Sequence, residues 1–403
     1  MTGARRRAAT VLAVAVLAVA VAACGGPPSA QASAPTGITP ASFSSTYAVM
    51  TRFRALAAAG RGTVGVLLPD DGPLDPNAAL ETASIDRALR TAGLDSSQYR
   101  VDDAHGSATT QRAQAVADIA KGASVLLLDP LNSTVGATIE ELAGRRGVRV
   151  VDYDHFTEGG TRQYFVGFDT AKVGALMADG AVSCVSSWHI TSPRVLALNR
   201  PLSDPSAVQL AQATSAALAS RYQSGDWVQA GVDSVPYGSS APADLHQAEQ
   251  VLPGLLHGVN VVVAADDALA DAVVQVLQGS GVGPRTVAVT GEGASLPALR
   301  AVLSGYQCGS VYEPAYAEAQ AGAALALYLR GEVSPPQSLA SQVVTDTTDN
   351  YNVPAVVLSA RWVTADTIGR SVVADHDIDP KALCAGEVAA ACRQAGIASS
   401  AAG

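Results

Sequence analysis

The chain is short of positive charge. Lysine and arginine number 26 against 36 aspartates and glutamates, a formal net charge of −10. That balance provides no basic patch for a phosphate backbone, which excludes nucleic acid as a partner. Catalytic signatures are missing too: there is no Gly-x-Ser-x-Gly elbow, no Gly-x-x-x-x-Gly-Lys loop and no His-Glu-x-x-His pair. The six histidines are scattered, and the cysteines form no Cys-x-x-Cys pair with a histidine at zinc spacing. An enzyme, a metal site and a bound cofactor are therefore not expected. Beyond the leader, no apolar stretch is long enough to span a bilayer.

What is present starts with an export signal. Arg5, Arg6 and Arg7 precede an apolar run from Ala8 to Ala23, broken only by Thr10, and Cys24 follows. The run is shorter than the ~20 residues a spanning helix needs and fits a secretory leader. Val21-Ala22-Ala23 sets small residues before Cys24, the pattern of a lipoprotein cleavage site. The expectation is a signal peptide over 1–23, a lipid on Cys24, and a chain anchored to the membrane on its extracellular face. Loss of the leader arginines would take the charge from −10 to −13.

Residues 25–44, rich in Gly, Pro, Ser, Ala and Thr, read as a flexible spacer, with a leading helix before residue 62. The roughly 350 residues that remain exceed what one core usually serves, so two domains are expected. Four further cysteines, Cys184, Cys308, Cys384 and Cys392, suit disulfides in an exported chain. Three pairings are open. The closeness of Cys384 and Cys392 favours that pair, leaving Cys184 with Cys308.

From Gly62 onward one rhythm repeats: a short β-branched run, a polar residue, then a helix-length amphipathic stretch. The runs include Thr63–Leu68, 124–128, 148–153, Tyr164–Phe168, 194–198, 259–264, 286–289 and 310–312. Continuous Val/Leu strands alternating with helices predict parallel sheets covered on both faces, in two α/β domains. Ligands of such sheets bind beyond the carboxyl ends of the strands. Those ends carry Asp70-Asp71, Asp129, Asp154-His155, Asn199-Arg200, Asp266-Asp267, Glu292 and Tyr312-Glu313. Asp129 and Asp169 read as helix N-caps. Asp154, Asp204, Asp267 and Glu292 read as ligand contacts.

The segments Val151-Asp152-Tyr153-Asp154, 164–174, 261–270, 287–294 and Val311-Tyr312-Glu313-Pro314 resemble the substrate-binding lipoproteins of sugar-importing ABC transporters. The resemblance is to the xylose-binding branch of the type I periplasmic binding proteins and runs from about residue 62 to 397. It implies two Rossmann-like lobes joined by three crossing strands, near 166–169, 311–316 and 344–358. The first lobe would hold 62–167 plus 314–346, the second 168–312 plus 355–380, with a tail over 381–403. It further implies a monomer that captures a small solute and delivers it to an ABC permease. A degenerate relative serving as sensor or scaffold for a membrane partner is the alternative.

The residues this resemblance assigns to the ligand are Asp70, Asp71, Asp154, His155, Asp204, Asp267, Glu292, Tyr312 and Glu313. Several depart from the family pattern. His155 stands where the family has arginine, Glu313 where it has lysine, and Pro205-Ser206 where it has two asparagines. Asp266 replaces an asparagine, and Glu292-Gly293 replaces Gln-Asp. A hydroxyl left unpaired in a closed cleft costs ~1–3 kcal/mol, so plain xylose is not the expected ligand. The excess of acids suggests an amino-sugar or another polar cationic solute. Tyr153, Phe156, Tyr237 and Tyr312 are the candidate stacking rings.

Overall fold

The computed structural model describes residues 34–69, 77–200, 205–234, 252–254 and 256–397. Cys24, Asp70, Asp71, Asp204 and Tyr237 lie outside the described residues.

Two sheets organise the chain. The first holds strands β1 (Thr63–Leu68), β2 (Tyr99–Asp103), β3 (Ala123–Leu128), β4 (Arg149–Tyr153), β5 (Tyr164–Phe168), β11 (Gln342–Asp346) and β12 (Tyr351–Leu358). Their order is β11-β12-β5-β4-β3-β1-β2, parallel except for the β11–β12 hairpin. The second holds β6 (Arg194–Asn199), β7 (Val228–Ser234), β8 (Val261–Ala264), β9 (Ala288–Glu292), β10 (Gly309–Tyr312) and β13 (Arg361–Val363). Its order is β13-β10-β9-β8-β6-β7, with only β13 antiparallel. The central strands β1, β3, β8 and β9 are almost wholly buried, as strands covered on both faces must be. This is the two-lobed, doubly wound α/β architecture the alternating pattern implies.

The chain passes between the sheets three times. It leaves β5 for helix α5 (Thr170–Ser187), leaves β10 for helix α9 (Ala315–Arg330), and leaves β12 for β13. The third passage differs from expectation. Residues 355–358, expected with the second lobe, pair with β5 in the first sheet, so the crossing falls after Leu358. Residues 381–397 of the expected tail are packed on the second sheet's lobe. Helices α10 (Pro380–Leu383) and α11 (Ala389–Gln394) place Leu383, Cys392 and Ile397 in one core with Leu299, Val302 and Ile368. Burial of that apolar face docks the segment on the second sheet's lobe.

Helix α9 is buried on nearly every side, in keeping with a sequence apolar all round. Gly322 lets it approach the first sheet closely, since a Cβ there would lie 2.9 Å from the Tyr153 ring. Its outer face is covered by residues 34–59, of which 34–44 are expected from the sequence to be spacer. Ile38 and Phe43 are buried, the Tyr328 hydroxyl donates to the Pro35 carbonyl, and Gln320 Nε2 donates to the Ser44 carbonyl at 2.9 Å. Phe53 meets Tyr328 edge to face at 5.4 Å. The spacer reading fails over 34–44 because its few apolar residues find an Ala-rich helix whose surface needs covering. No local property of the segment reveals that partner.

Both disulfides form as the sequence favoured, Cys184–Cys308 and Cys384–Cys392. The first ties the end of α5 to the start of β10, and the second closes a short loop in the C-terminal segment. Among the described residues, no helix is long and apolar enough to cross a membrane.

Candidate functional site

A cleft of about 380 Å³ opens between the two sheets at the carboxyl ends of their strands. The first sheet contributes Pro69, Asp129, Asp154, His155 and Phe168, and the second Arg200, Asp266, Asp267 and Glu292. Glu313 and Glu318 enter from the second crossing and from α9, and Asn77 and Glu81 from the start of α2 (Ala78–Thr91). A wider groove of about 1330 Å³ continues past His155 and Phe168 toward the β11–β12 hairpin. The smaller volume falls in the ~300–1,000 Å³ range of small-molecule sites.

On the first wall, Asp154 takes a left-handed backbone conformation (φ 59°), unusual for a residue with a side chain. The turn brings Asp154 and His155 together: His155 Nδ1 lies 2.9 Å from Asp129 Oδ1 and 3.2 Å from Asp154 Oδ2. Burial disfavours the imidazolium, yet Asp154 and Asp129 outweigh it and hold His155 well above its ordinary pKa. Burial likewise disfavours the Asp154 carboxylate, but His155 keeps it below the usual carboxylate value. The trio is thus an ion cluster with a charged histidine at its centre. Donor atoms of Asp129, Asp154 and His155 also fall within 4.8 Å of one another, a set able to hold a metal ion. A cation there would have to displace the Nδ1 proton that the two carboxylates share.

On the second wall, Arg200 Nε reaches Asp266 Oδ2 at 2.9 Å, and Arg200 Nη2 lies 3.7 Å from Glu292 Oε2. Asp266 also caps helix α7 (Asp267–Gly279) by accepting from the Leu269 N–H at 2.8 Å. Asp267 lies deeper and accepts from the Ser295 N–H at 2.7 Å, the Ser310 hydroxyl at 2.8 Å and Gln307 Nε2 at 3.1 Å. Burial pushes Glu313 well above the ordinary carboxylate value, and the neighbouring Glu292 pushes it further. Burial raises Glu292 as well, against the pull of Arg200 and its hydrogen bond with Glu313. Burial thus disfavours a full charge on both glutamates, most strongly on Glu313. Across the opening, Asn77 Nδ2 donates to the Gly293 carbonyl at 2.9 Å, linking the lobes. Gly293 has φ 114°, a backbone shape that side chains rarely tolerate.

Burial raises Asp267 to about 7, although its three donors favour the ionised form. This folded value lies above the ordinary 3.8, so the native state retains a proton that the unfolded chain releases. The resulting stabilisation is complete below the unfolded pKa and is lost as pH rises through the folded one. Urea midpoints are therefore expected to fall as pH rises from about 4 to about 7, and Asp267→Asn is expected to shrink that fall. An unaltered pH profile in the variant would contradict this account.

The structure brings Asp154, His155, Asp267, Glu292 and Glu313 to one cleft. Tyr312 is not among them. It is buried, its hydroxyl donates to Asp377, and Arg361 stacks 5.0 Å from its ring. Adjacent residues of an extended chain face opposite ways, so with Glu313 in the cleft Tyr312 points to the C-terminal segment. Tyr153 is not a stacking platform either, being buried in the core, whereas Phe156 packs edge to face on Phe165 beneath Arg162 and lines the wider groove. Phe168 is the aromatic that lines the cleft.

Asp129 is likewise no helix cap. Asn132 caps helix α4 (Ser133–Arg145), and Asp129 bonds His155. Asp169 does cap α5, accepting from the Lys172 N–H at 3.1 Å. Arg200 and Glu318 escaped selection. The first stands at a strand end and was open to the same rule that picked the acids. The second sits one turn into a helix, where the sequence carries no distinguishing signal.

Two α/β lobes, three crossings and a polar cleft at the strand ends define a two-lobed solute-binding protein. The sequence family described as periplasmic binding protein domain matches residues 79–332, and the chain belongs to that family. The D-xylose-binding periplasmic protein of Escherichia coli is 26% identical over 278 residues, covering 68% of this chain and 80% of its own. A multiple sugar-binding periplasmic receptor of Rhizobium radiobacter is 25% identical over 280 residues, covering 64% of this chain and 74% of its own. A carbohydrate transporter solute-binding protein of Chloroflexus aurantiacus, solved with D-glucose, superposes with a TM-score of 0.66 at 20% identity. That match covers 79% of this chain and 97% of the other. The Caulobacter myo-inositol-binding protein superposes with a TM-score of 0.61 at 19% identity, covering 78% and 99% of the two chains. The family is one of binding proteins, in line with the expectation of a non-enzyme.

Proposed function

We propose that this chain is an extracellular, lipid-anchored receptor that captures a sugar-like solute between its lobes and delivers it to an ABC import permease. The observation that carries the reading is the cleft itself: both lobes line it with hydrogen-bonding side chains at strand ends, in a volume of about 380 Å³. Relatives named for xylose and for multiple sugars support a sugar-sized ligand. Hinge motion about three crossings would let the lobes close over the solute and present a new surface to the permease. Anchoring through Cys24 and a monomeric state belong to the same reading.

Plain xylose is not the expected ligand, because His155, Glu313 and Ser206 replace the bases and carboxamide the resemblance would require. The ordered pairing of Arg200, Asp266 and Glu292 speaks against the alternative of an eroded scaffold. Thermal-shift measurements on the chain lacking residues 1–24 test the reading, with pentoses, hexoses, cyclitols and their amino derivatives as ligands. One or more is expected to raise Tm by several degrees, as any ligand bound only by the native state must. No shift with any of them would refute sugar capture, and a shift with xylose alone would refute the altered specificity.

A further inference from the structure

Among the described residues, eight carboxylates line the cleft: Glu81, Asp129, Asp154, Asp266, Asp267, Glu292, Glu313 and Glu318. Most are engaged by the protein. His155 bridges Asp129 and Asp154, Arg200 pairs with Asp266 and faces Glu292, Glu292 and Glu313 are hydrogen-bonded to one another, and Asp267 has three donors. Glu318 is different. It is 6% exposed, it lines the cleft from the first turn of α9, and its Oε1 has no hydrogen-bond partner among the described residues.

A buried carboxyl oxygen without a partner is costly and is retained where something else supplies the partner. Its neighbours narrow the choice. Burial raises the Glu318 carboxyl well above its ordinary value, the negative charges of Asp154, Glu81 and Asp129 raise it further, and His155 opposes them. A ligand hydroxyl would offer one hydrogen bond and leave that negative field uncompensated. An ammonium group offers up to three N–H donors and cancels it.

We propose that the cleft takes a sugar-sized solute bearing an ammonium group, an amino sugar or aminocyclitol, with Glu318 as the ammonium's receptor. This rests on the reading of the chain as a sugar-type receptor and names the class of ligand. A metal ion is the competing cation, but the donors that converge for one are those already joined through the His155 proton.

Isothermal titration of the chain lacking residues 1–24 separates the cases, using glucosamine, galactosamine, mannosamine and 2-amino-2-deoxy-inositol beside their parent hydroxyl compounds. Calcium and zinc chlorides are titrated alone. At least one amino compound is expected to bind about tenfold or more tightly than its parent, and Glu318→Gln to remove most of that preference. An unchanged far-ultraviolet circular dichroism spectrum and urea m-value in Glu318→Gln would separate loss of the ammonium contact from misfolding. Equal or tighter binding of the parents would overturn the ammonium assignment while leaving sugar capture intact. So would an undiminished preference in Glu318→Gln, or tight metal binding that excludes the amino compound. Binding of no compound at all would overturn both readings together.

Discussion

Replacing Arg162 by methionine is expected to cost the fold about 3–5 kcal/mol, read as a lowered urea midpoint at unchanged m-value. Arg162 is 1% exposed and is the one cation in a buried cluster with Glu140, Asp152 and Asp346. Its Nη2 donates to Asp346 Oδ2 at 2.5 Å, and Phe156 lies 4.2 Å from its guanidinium carbon. Burial raises both Glu140 and Asp152, which are hydrogen-bonded to one another, whereas Asp346 is held well below the usual range by Thr348, Arg162 and Gly159 despite its burial. Without the arginine, Asp346 becomes an uncompensated buried charge, the situation that makes removal of one partner far worse than removal of all.

The consequences of that substitution would reach the cleft. The Thr157 N–H donates to Asp152 at 2.8 Å and the Gly159 N–H to Asp346 at 2.7 Å, so the cluster holds the loop leading away from Asp154 and His155. Asp346 also ends β11, fastening that loop to the hairpin that precedes the third crossing. Arg162→Met paired with Asp346→Leu should recover part of the loss, since it removes the stranded charge as well. A single variant as stable as wild type would show that the cluster carries no such role.

Removing the Cys184–Cys308 bridge should be the most damaging change to the second lobe. The bond closes a span of 124 residues, for which the chain-entropy relation gives about 5 kcal/mol; the 8-residue span of Cys384–Cys392 gives about 2.5 kcal/mol. The long bridge also joins the end of α5 to the start of β10, two elements that meet only once the lobe has formed. Double alanine variants of each pair, compared by urea unfolding, are expected to rank in that order. A larger loss from the short bridge would mean that local strain or docking of the C-terminal segment outweighs loop closure.

Much of the architecture was legible along the chain because a parallel strand buried on both faces must be continuously apolar. Thr63–Leu68 and Tyr164–Phe168 form with the bounds their residues suggested. The strands that defeated such reading are those lacking that signature. In β11 only Asp346 is buried, and β13 is three residues long. The covering segment 34–59 was hidden for a related reason: its Ile38, Phe43 and Phe53 are too sparse to announce a core and gain their burial from α9, nearly 300 residues away.

The site divides along the same line. That acids at strand ends would meet in a cleft follows from topology, and Asp154, His155, Asp267, Glu292 and Glu313 do meet there. Which of those acids is occupied by the protein could not be read locally. Asp129 looked like a cap until the turn at Asp154 brought His155 against it, and Arg200 mattered only once Asp266 and Glu292 stood beside it.

Local order of residues was enough to establish the alternating α/β class and the acidic character, because hydrophobic period and charge are properties of neighbours, whereas spacing only favoured one of three cysteine pairings. Folding alone decided where the third crossing falls, why Tyr312 turns away from the cleft, and which carboxyl group is left without a partner. Those outcomes depend on contacts between segments far apart in the chain, and a pairing exists only after the backbone has set both of its members in reach.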